Sequence, residues 1–219
     1  MKRLILILMI ACCGVCGWAQ DDPLAGKTMC VFGDSYVANH RKPKTETWHA
    51  KVAAKHNMTY LNYGRNGSCI AFDRTRDGFG PSMLVRYKQM PDTADYVVVI
   101  AGHNDAEKIK NSADSLVMFR DSLQRLCDCL IEKYPTAKIA FVTPWNVDRP
   151  GFRQVITTIV EVCGDNGIPV LNAATTSGIH VRNDEFRRRY FQAPKDTAHL
   201  NDAGHNLLVG WAERFLLGL

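Results

Sequence analysis

Tyr96-Val97-Val98-Val99-Ile100-Ala101, running directly into Gly102-His103-Asn104-Asp105, is the stretch whose reading decides the fold. The apolar run lacks the alternation of a half-exposed strand, so both of its faces must be buried. A strand of that kind belongs in a parallel sheet covered by helices on both sides. Ile139-Ala140-Phe141-Val142, inside a second run at Lys138–Thr143, has the same continuous character. Further strand-length runs stand at Thr28–Phe32, Thr59–Asn62 and Ile168–Leu171.

The segments between these runs have helical period. Trp48, Val52 and Ala53 mark one between Thr45 and Asn57, and Leu116, Phe119, Leu123, Leu126, Leu130 and Ile131 mark the longest, ending before Pro135. Phe152, Val155, Ile156, Ile159, Val160 and Cys163 mark a third, opening beside Pro150 and closing near Gly164 or Gly167, and Leu207, Leu208, Trp211, Phe215 and Leu216 mark the last. Strands alternating with helices predict a three-layer α/β/α sandwich around a parallel sheet of about five strands.

The N-terminus is set apart from this pattern. Met1-Lys2-Arg3 is basic, Leu4 to Ala11 is apolar, and Gly17-Trp18-Ala19 supplies small residues at a cleavage site, so residues 1–19 are expected to be a signal peptide. The apolar run is too short to span a bilayer. Met9-Ile10-Ala11-Cys12 offers a second reading, a lipid anchor on Cys12. The protein is thus expected to be secreted or periplasmic, or anchored to a membrane as a lipoprotein. Removing 19 of the 219 residues leaves 200, the length of one domain, 20–219. It also takes Lys2 and Arg3 from the 27 basic residues, leaving 25 against 22 acids and a net charge of +3. So mild a charge excludes a nucleic-acid binder. Arg187-Arg188-Arg189 is read as a solvated helix face. Five cysteines remain, Cys30, Cys69, Cys127, Cys129 and Cys163, an odd number expected to be mostly buried free thiols. Cys127 and Cys129 point to opposite sides of a helix and form no metal site.

Ligands of open α/β sheets gather outside the carboxyl ends of the strands. Gly33-Asp34-Ser35 follows the first strand, Gly64 to Ser68 the second, and Gly102 to Asp105 the third, so all three leave one edge. Ser35 is either a helix cap or a nucleophile. Asp196 and His199, three apart, are either another cap or a base with its orienting carboxylate, placed on one face of a helical turn. Asn104 carries a side-chain amide suited to an oxyanion, and Gly64 and Gly67 permit a tight loop with inward-facing backbone amides.

In these residues the chain resembles the SGNH, or GDSL, hydrolase superfamily, named for a Ser, a Gly, an Asn and a His in four blocks. The resemblance covers essentially the whole mature chain. It implies a flavodoxin-like sandwich and a serine esterase. Ser35 would be the nucleophile and, through its backbone amide, an oxyanion donor. Gly67, with Gly64 the alternative register, and Asn104 would be the other donors, and Asp196 and His199 would complete the triad. Tyr36 stands where the family often has Leu, and His103 fills the variable position of the third block. No cofactor or metal is implied. His205, near Asp202, is read as a surface or capping residue of the last helix, since zinc would compete for the imidazole.

The substrate side is thinner. Ala71 to Pro81, with Arg74, Arg76 and Phe79, is expected to be a polar loop near the site and not a lipase lid. Trp145, after the fourth strand, is a candidate for stacking on a sugar, with Asp34 and His103 as further candidate substrate contacts. The expected substrate is a small-molecule or glycan ester, with a short acyl group, acetyl first, on a carbohydrate. The alternatives are a lysophospholipase or thioesterase type of acylhydrolase, a sugar O-acyltransferase, and a non-catalytic binding module.

Overall fold

The run at Tyr96 becomes the middle strand of the sheet. In the computed structural model, which describes residues 22–219, the strands are β1 (Thr28–Gly33), β2 (Thr59–Gly64), β3 (Tyr96–Ile100), β4 (Lys138–Val142) and β5 (Val170–Leu171). They pair in the order β2-β1-β3-β4-β5, every pair parallel. Every residue of β3 is buried, as its unbroken apolar sequence requires. The strand at Ile168 is shorter than its apolar run, because Pro169 has no N–H for the ladder and contributes only its carbonyl, to the Phe141 N–H. The leader expected at 1–19 and the anchor at Cys12 lie outside the described residues. Among those described, no helix is long and apolar enough to cross a membrane.

The helices are α1 (Ser35–Ala38), α2 (Trp48–Lys55), α3 (Met83–Arg86), α4 (His103–Ile109), α5 (Ala113–Lys133), α6 (Phe152–Asp165), α7 (Ala173–Thr176), α8 (Asp184–Tyr190) and α9 (Asp202–Leu217). Three of the four longest helices begin where the sequence supplies a side-chain cap, and α6 begins after Gly151 without one. Thr47, Ser112 and Asn201 accept the N–H groups of Ala50, Ser115 and Gly204 at the starts of α2, α5 and α9. Helices α2 and α9 pack together on one face of the sheet, and α4, α5 and α6 on the other, which gives the three layers. The short helices α1, α4 and α8 have too few residues to show a period, so sequence alone did not place them.

One expectation is corrected. His205 is not a surface residue of the last helix: it is 3 % exposed, with Nδ1 accepting the Trp48 N–H and Nε2 facing Asn39 Oδ1. Its burial follows from the packing of α9 against α2. Arg188 and Arg189 are exposed on α8, as expected, but Arg187 is half-buried and donates to the Val181 and Pro194 carbonyls. The five cysteines are unpaired, with Cys30, Cys69, Cys127 and Cys163 buried and Cys129 half-buried.

This strand order reverses direction between β1 and β3, and such a switch point opens a crevice at the carboxyl ends of the strands. Gly33 is in register with Gly64 on one side and Ile100 on the other, so the three following loops leave the sheet at one level.

Candidate active site

The first loop is a single residue. Asp34 caps α1 by accepting the Tyr36 N–H at 2.9 Å, and Ser35 is therefore the first residue of the helix, directly above the end of β1. His199 comes to it from the far end of the chain, with Nε2 3.0 Å from Ser35 Oγ. The other ring nitrogen, Nδ1, lies 2.9 Å from Asp196 Oδ2. A carboxylate can only accept there, so Nδ1 carries the proton and Nε2 presents its lone pair to the Ser35 hydroxyl.

The segment Asp196 to His199 is not the helical turn its spacing had suggested. It is a loop closed by the aspartate itself, whose Oδ1 accepts the N–H groups of Ala198 at 2.8 Å and His199 at 2.9 Å. Turns of this kind are a local preference of aspartate. Burial alone would raise the Asp196 carboxyl, but the hydrogen bonds from the His199 ring and from these two N–H groups outweigh it and hold the group below the usual range. Trp145 braces the loop from β4, donating its indole N–H to the Thr197 carbonyl at 3.1 Å.

The oxyanion side is built from the other two loops. Asn104, at the start of α4, donates from Nδ2 to the Ser68 carbonyl at 3.0 Å and to Asp34 Oδ2 at 3.2 Å. Its amide thus ties the third loop to the second and to the residue before Ser35. Of the two glycines, Gly64 has its N–H engaged by Asn62 Oδ1, and a Cβ there would lie 2.2 Å from the Ala38 nitrogen, so its task is to let α1 sit on β2. Gly67 has φ +71°, a Cβ there would lie 2.1 Å from the Phe79 ring, and its N–H meets no acceptor among the described residues. The polar loop at 71–81 closes on this glycine, with Arg74 donating to the Gly67 carbonyl at 3.0 Å and lying 4.3 Å from the Phe79 ring centre.

Beneath these loops lies a layer of charge that the sequence did not announce. Asp105 is fully buried and accepts the N–H groups of Ile70 and Ala71, both at 3.0 Å, which pins the second loop to α4. Arg86, on α3, is 5 % exposed and donates to Ser68 Oγ and to the Tyr63 and Gly33 carbonyls at the ends of β2 and β1. Its position in a four-residue helix gives no periodic signal. Burial raises Asp34 to about 7 and Asp105 to about 6. It lowers Arg86 to about 10, with the charge of Arg65 adding to the effect.

The structure brings Ser35, His199 and Asp196 into one hydrogen-bonded chain, with Asn104 and Gly67 on the loops beside it. The three candidate substrate contacts are placed differently. Asp34 is fully buried as the cap of α1. His103 is 4 % exposed, with Nδ1 3.1 Å from the Tyr36 hydroxyl, and burial, helped by the charge of Arg149, lowers it to about 3. Trp145 is 3 % exposed and packs against Tyr36, ring centres 4.1 Å apart and planes tilted by 40°, so its ring is enclosed by the protein and not open to a sugar. The tyrosine where the family often has Leu explains the last two, since Tyr36 fills the space between His103 and Trp145.

Solved structures share this fold. A protein from Lactobacillus plantarum superimposes with a TM-score of 0.74 at 23% identity, over 88% of this chain and 97% of that one. An acetyl xylan esterase, AlAXEase, gives 0.61 at 16% identity, over 88% and 100%. An active-site mutant of a family two carbohydrate esterase from Clostridium thermocellum, in complex with cellohexaose, gives 0.62 at 14% identity, over 88% of this chain and 63% of that one. Among curated proteins, none matches. The model of the GDSL-like lipase/acylhydrolase family matches residues 31–207, from within β1 into α9, and so takes in the segments of Ser35, Gly67, Asn104, Asp196 and His199. The chain belongs to the GDSL-like lipase/acylhydrolase family and is an ester hydrolase.

Proposed function

We propose that the chain is a serine esterase that removes short acyl groups, acetyl first, from carbohydrate. The observation that carries the mechanism is the continuous line from Ser35 Oγ through both nitrogens of His199 to Asp196, at 3.0 and 2.9 Å. Ser35 Oγ attacks the ester carbonyl while its proton passes to His199 Nε2, and Asp196 stabilises the imidazolium. The carbonyl oxygen becomes an oxyanion, for which the N–H groups of Ser35 and Gly67 and the Asn104 amide are the donors. To serve it, Asn104 redirects the longer of its two hydrogen bonds, the one to Asp34. Collapse breaks the ester bond, and the departing alcohol takes the proton from His199. A water then repeats the sequence on the acyl-Ser35 ester, giving the free acid and regenerating the hydroxyl.

Two features support a short acyl group on a sugar. Tyr36, His103 and Trp145 pack together next to Ser35 and occupy space that a long acyl chain would need. Two open cavities of about 540 and 810 Å3 meet at Asn146, beside Trp145, with mixed polar and apolar linings suited to a sugar chain. The solved structures of an acetyl xylan esterase and a carbohydrate esterase point the same way.

The test is a series of acetyl, butyryl, octanoyl and palmitoyl nitrophenyl esters run beside acetylated polysaccharides. Rates should fall steeply beyond butyryl, with acetate released from at least one glycan. Equal or faster cleavage of the octanoyl ester would overturn the short-acyl reading.

A further inference from the structure

The ring of His199 is held on more than its two nitrogens. His40 covers one face, with ring centres 4.3 Å apart and planes inclined by 15°. His40 reaches that position from an uncommon backbone. Asn39 has φ +60° and His40 φ +43°, two consecutive non-glycine residues in the left-handed region.

The surroundings hold this conformation in place. Asn39 donates to the Pro43 carbonyl at 2.6 Å, and its own carbonyl accepts the Lys42 N–H at 2.8 Å. Since His205 Nδ1 accepts from the Trp48 backbone, His205 Nε2 carries the proton and donates it to Asn39 Oδ1 at 3.2 Å. The buried His205, which the catalytic line does not use, thus anchors the turn that carries His40. Backbone strain retained beside reacting groups is a pointer to function.

We propose that His40 is a positioning residue for the base: its ring, stacked on His199, keeps the imidazole in the plane that reaches both Ser35 and Asp196 and stabilises the imidazolium. The role rests on the reading of Ser35 as nucleophile and His199 as base. Two in-plane hydrogen bonds leave the imidazole able to tilt about the line through its nitrogens, and a ring packed on its face removes that freedom. The stack also gives more to the charged base than to the neutral one, because a π face attracts a cation. An interaction that strengthens as the proton arrives lowers the barrier and leaves ground-state binding alone. Burial lowers the His40 pKa, and the charges of His199 and Arg41 lower it further against an opposing contribution from Asp196, which favours the neutral form of the stacked ring.

The experiment compares native protein with His40→Ala, His40→Gly and His40→Phe. It measures short-ester kinetics, the rate of Ser35 labelling by a fluorophosphonate, and Tm. A fluorophosphonate needs only Ser35 and its base: Oγ bonds to phosphorus, fluoride leaves, and the proton goes to His199. Ala and Gly should lower kcat about tenfold with KM within about twofold, and slow labelling to match, while Phe, which keeps a flat ring on His199, should stay within about threefold of native. Gly should hold or raise Tm, because glycine adopts φ +43° without strain. Native rates in His40→Ala, a change confined to KM, a Phe variant as slow as Ala, or a Gly variant that loses Tm along with kcat would each overturn the role. A native protein unlabelled at Ser35 would overturn the nucleophile assignment, and this role with it.

Discussion

The carboxyl edge of the sheet has a closed end and an open end. Over β1, β2 and β3 the polar groups are largely out of water: Asp34 and Asp105 are fully buried, Arg86, Ser35 and Asn104 nearly so, while His199 and Asp196 are partly open, with side chains 19% exposed. Over β4 and β5 the loops instead border the two open cavities, whose rims carry Arg149, Arg153, Arg182 and Asp148. There the Arg182 to Asp148 pair is 4.0 Å long, with side chains 66% and 89% exposed. Buried charge of the first kind destabilises a fold unless every group is partnered, as Asp105 and Arg86 are. The contrast separates two tasks. On the proposed function, moving a proton and stabilising an oxyanion call for groups held in fixed places, whereas choosing the alcohol half of an ester needs only a surface that can vary without disturbing them.

The sharpest way to break this division is at the closed end. Ser35→Ala should lower kcat for a short nitrophenyl ester by about four to six powers of ten, the loss typical of a missing nucleophile. Turnover within tenfold of native would mean that the chemistry lies elsewhere. Asn104→Ala should cost about a hundred- to a thousandfold in kcat, the value of one oxyanion donor. If kcat stays put while the protein loses stability, Asn104 serves only to tie Ser68 to Asp34.

A smaller effect follows from burial beneath the closed end. His49, His103 and His205 are held at about 3, about 3 and about 4, in each case chiefly by desolvation. A histidine lowered in this way takes up its proton in the unfolded chain first, so the stability it lends is complete above about pH 6.5 and is lost as pH falls towards its folded value. Asp34 and Asp105, raised to about 7 and about 6, act in the opposite sense: they keep their protons longer in the folded chain and cost stability as pH rises from about 4. Between about pH 4 and 6 the three histidines outnumber the two acids by one proton, so stability falls as the pH is lowered through that range. Unfolding in urea should therefore show the protein less stable at pH 4 than at pH 6, with a lower urea midpoint. A stability that is flat or rises towards pH 4 would show that the two buried carboxyls dominate.

How far the sequence discloses each end follows from the same physics. The sheet was legible because an unbroken run such as Tyr96 to Ala101 has few other uses than a doubly covered strand. The residues of the catalytic line were legible because each follows a strand or stands beside its partner in the chain. What could not be read was whatever depends on contacts distant in sequence. Arg86 resembles any surface arginine until α3 is laid across the ends of β1 and β2, and His40 has no signal until the loop of His199 folds over it. Trp145 looked free to meet a sugar because nothing in its neighbourhood shows that Tyr36 and Thr197 will take its ring and its N–H. The Asp196 to His199 spacing suggested a helix when the aspartate had built its own turn, and the partners met either way.

The open end should respond weakly and selectively. Arg153 is exposed on α6, and Arg182 is exposed just before α8 with a long, solvent-screened partner. Neither contacts the hydrogen-bonded line at Ser35, so replacing them leaves the proton path intact. An exposed ion pair is worth about 0 to 1 kcal/mol, so stability should barely move. If the cavities hold the sugar chain, Arg153→Ala and Arg182→Ala should raise KM for an acetylated glycan about two- to fivefold, the loss of one solvent-exposed polar contact, while leaving a nitrophenyl acetate assay within error. Equal losses on both substrates would place these arginines in the service of the chemistry and erase the division between the two ends. No change on any glycan would move the alcohol to another face of the site.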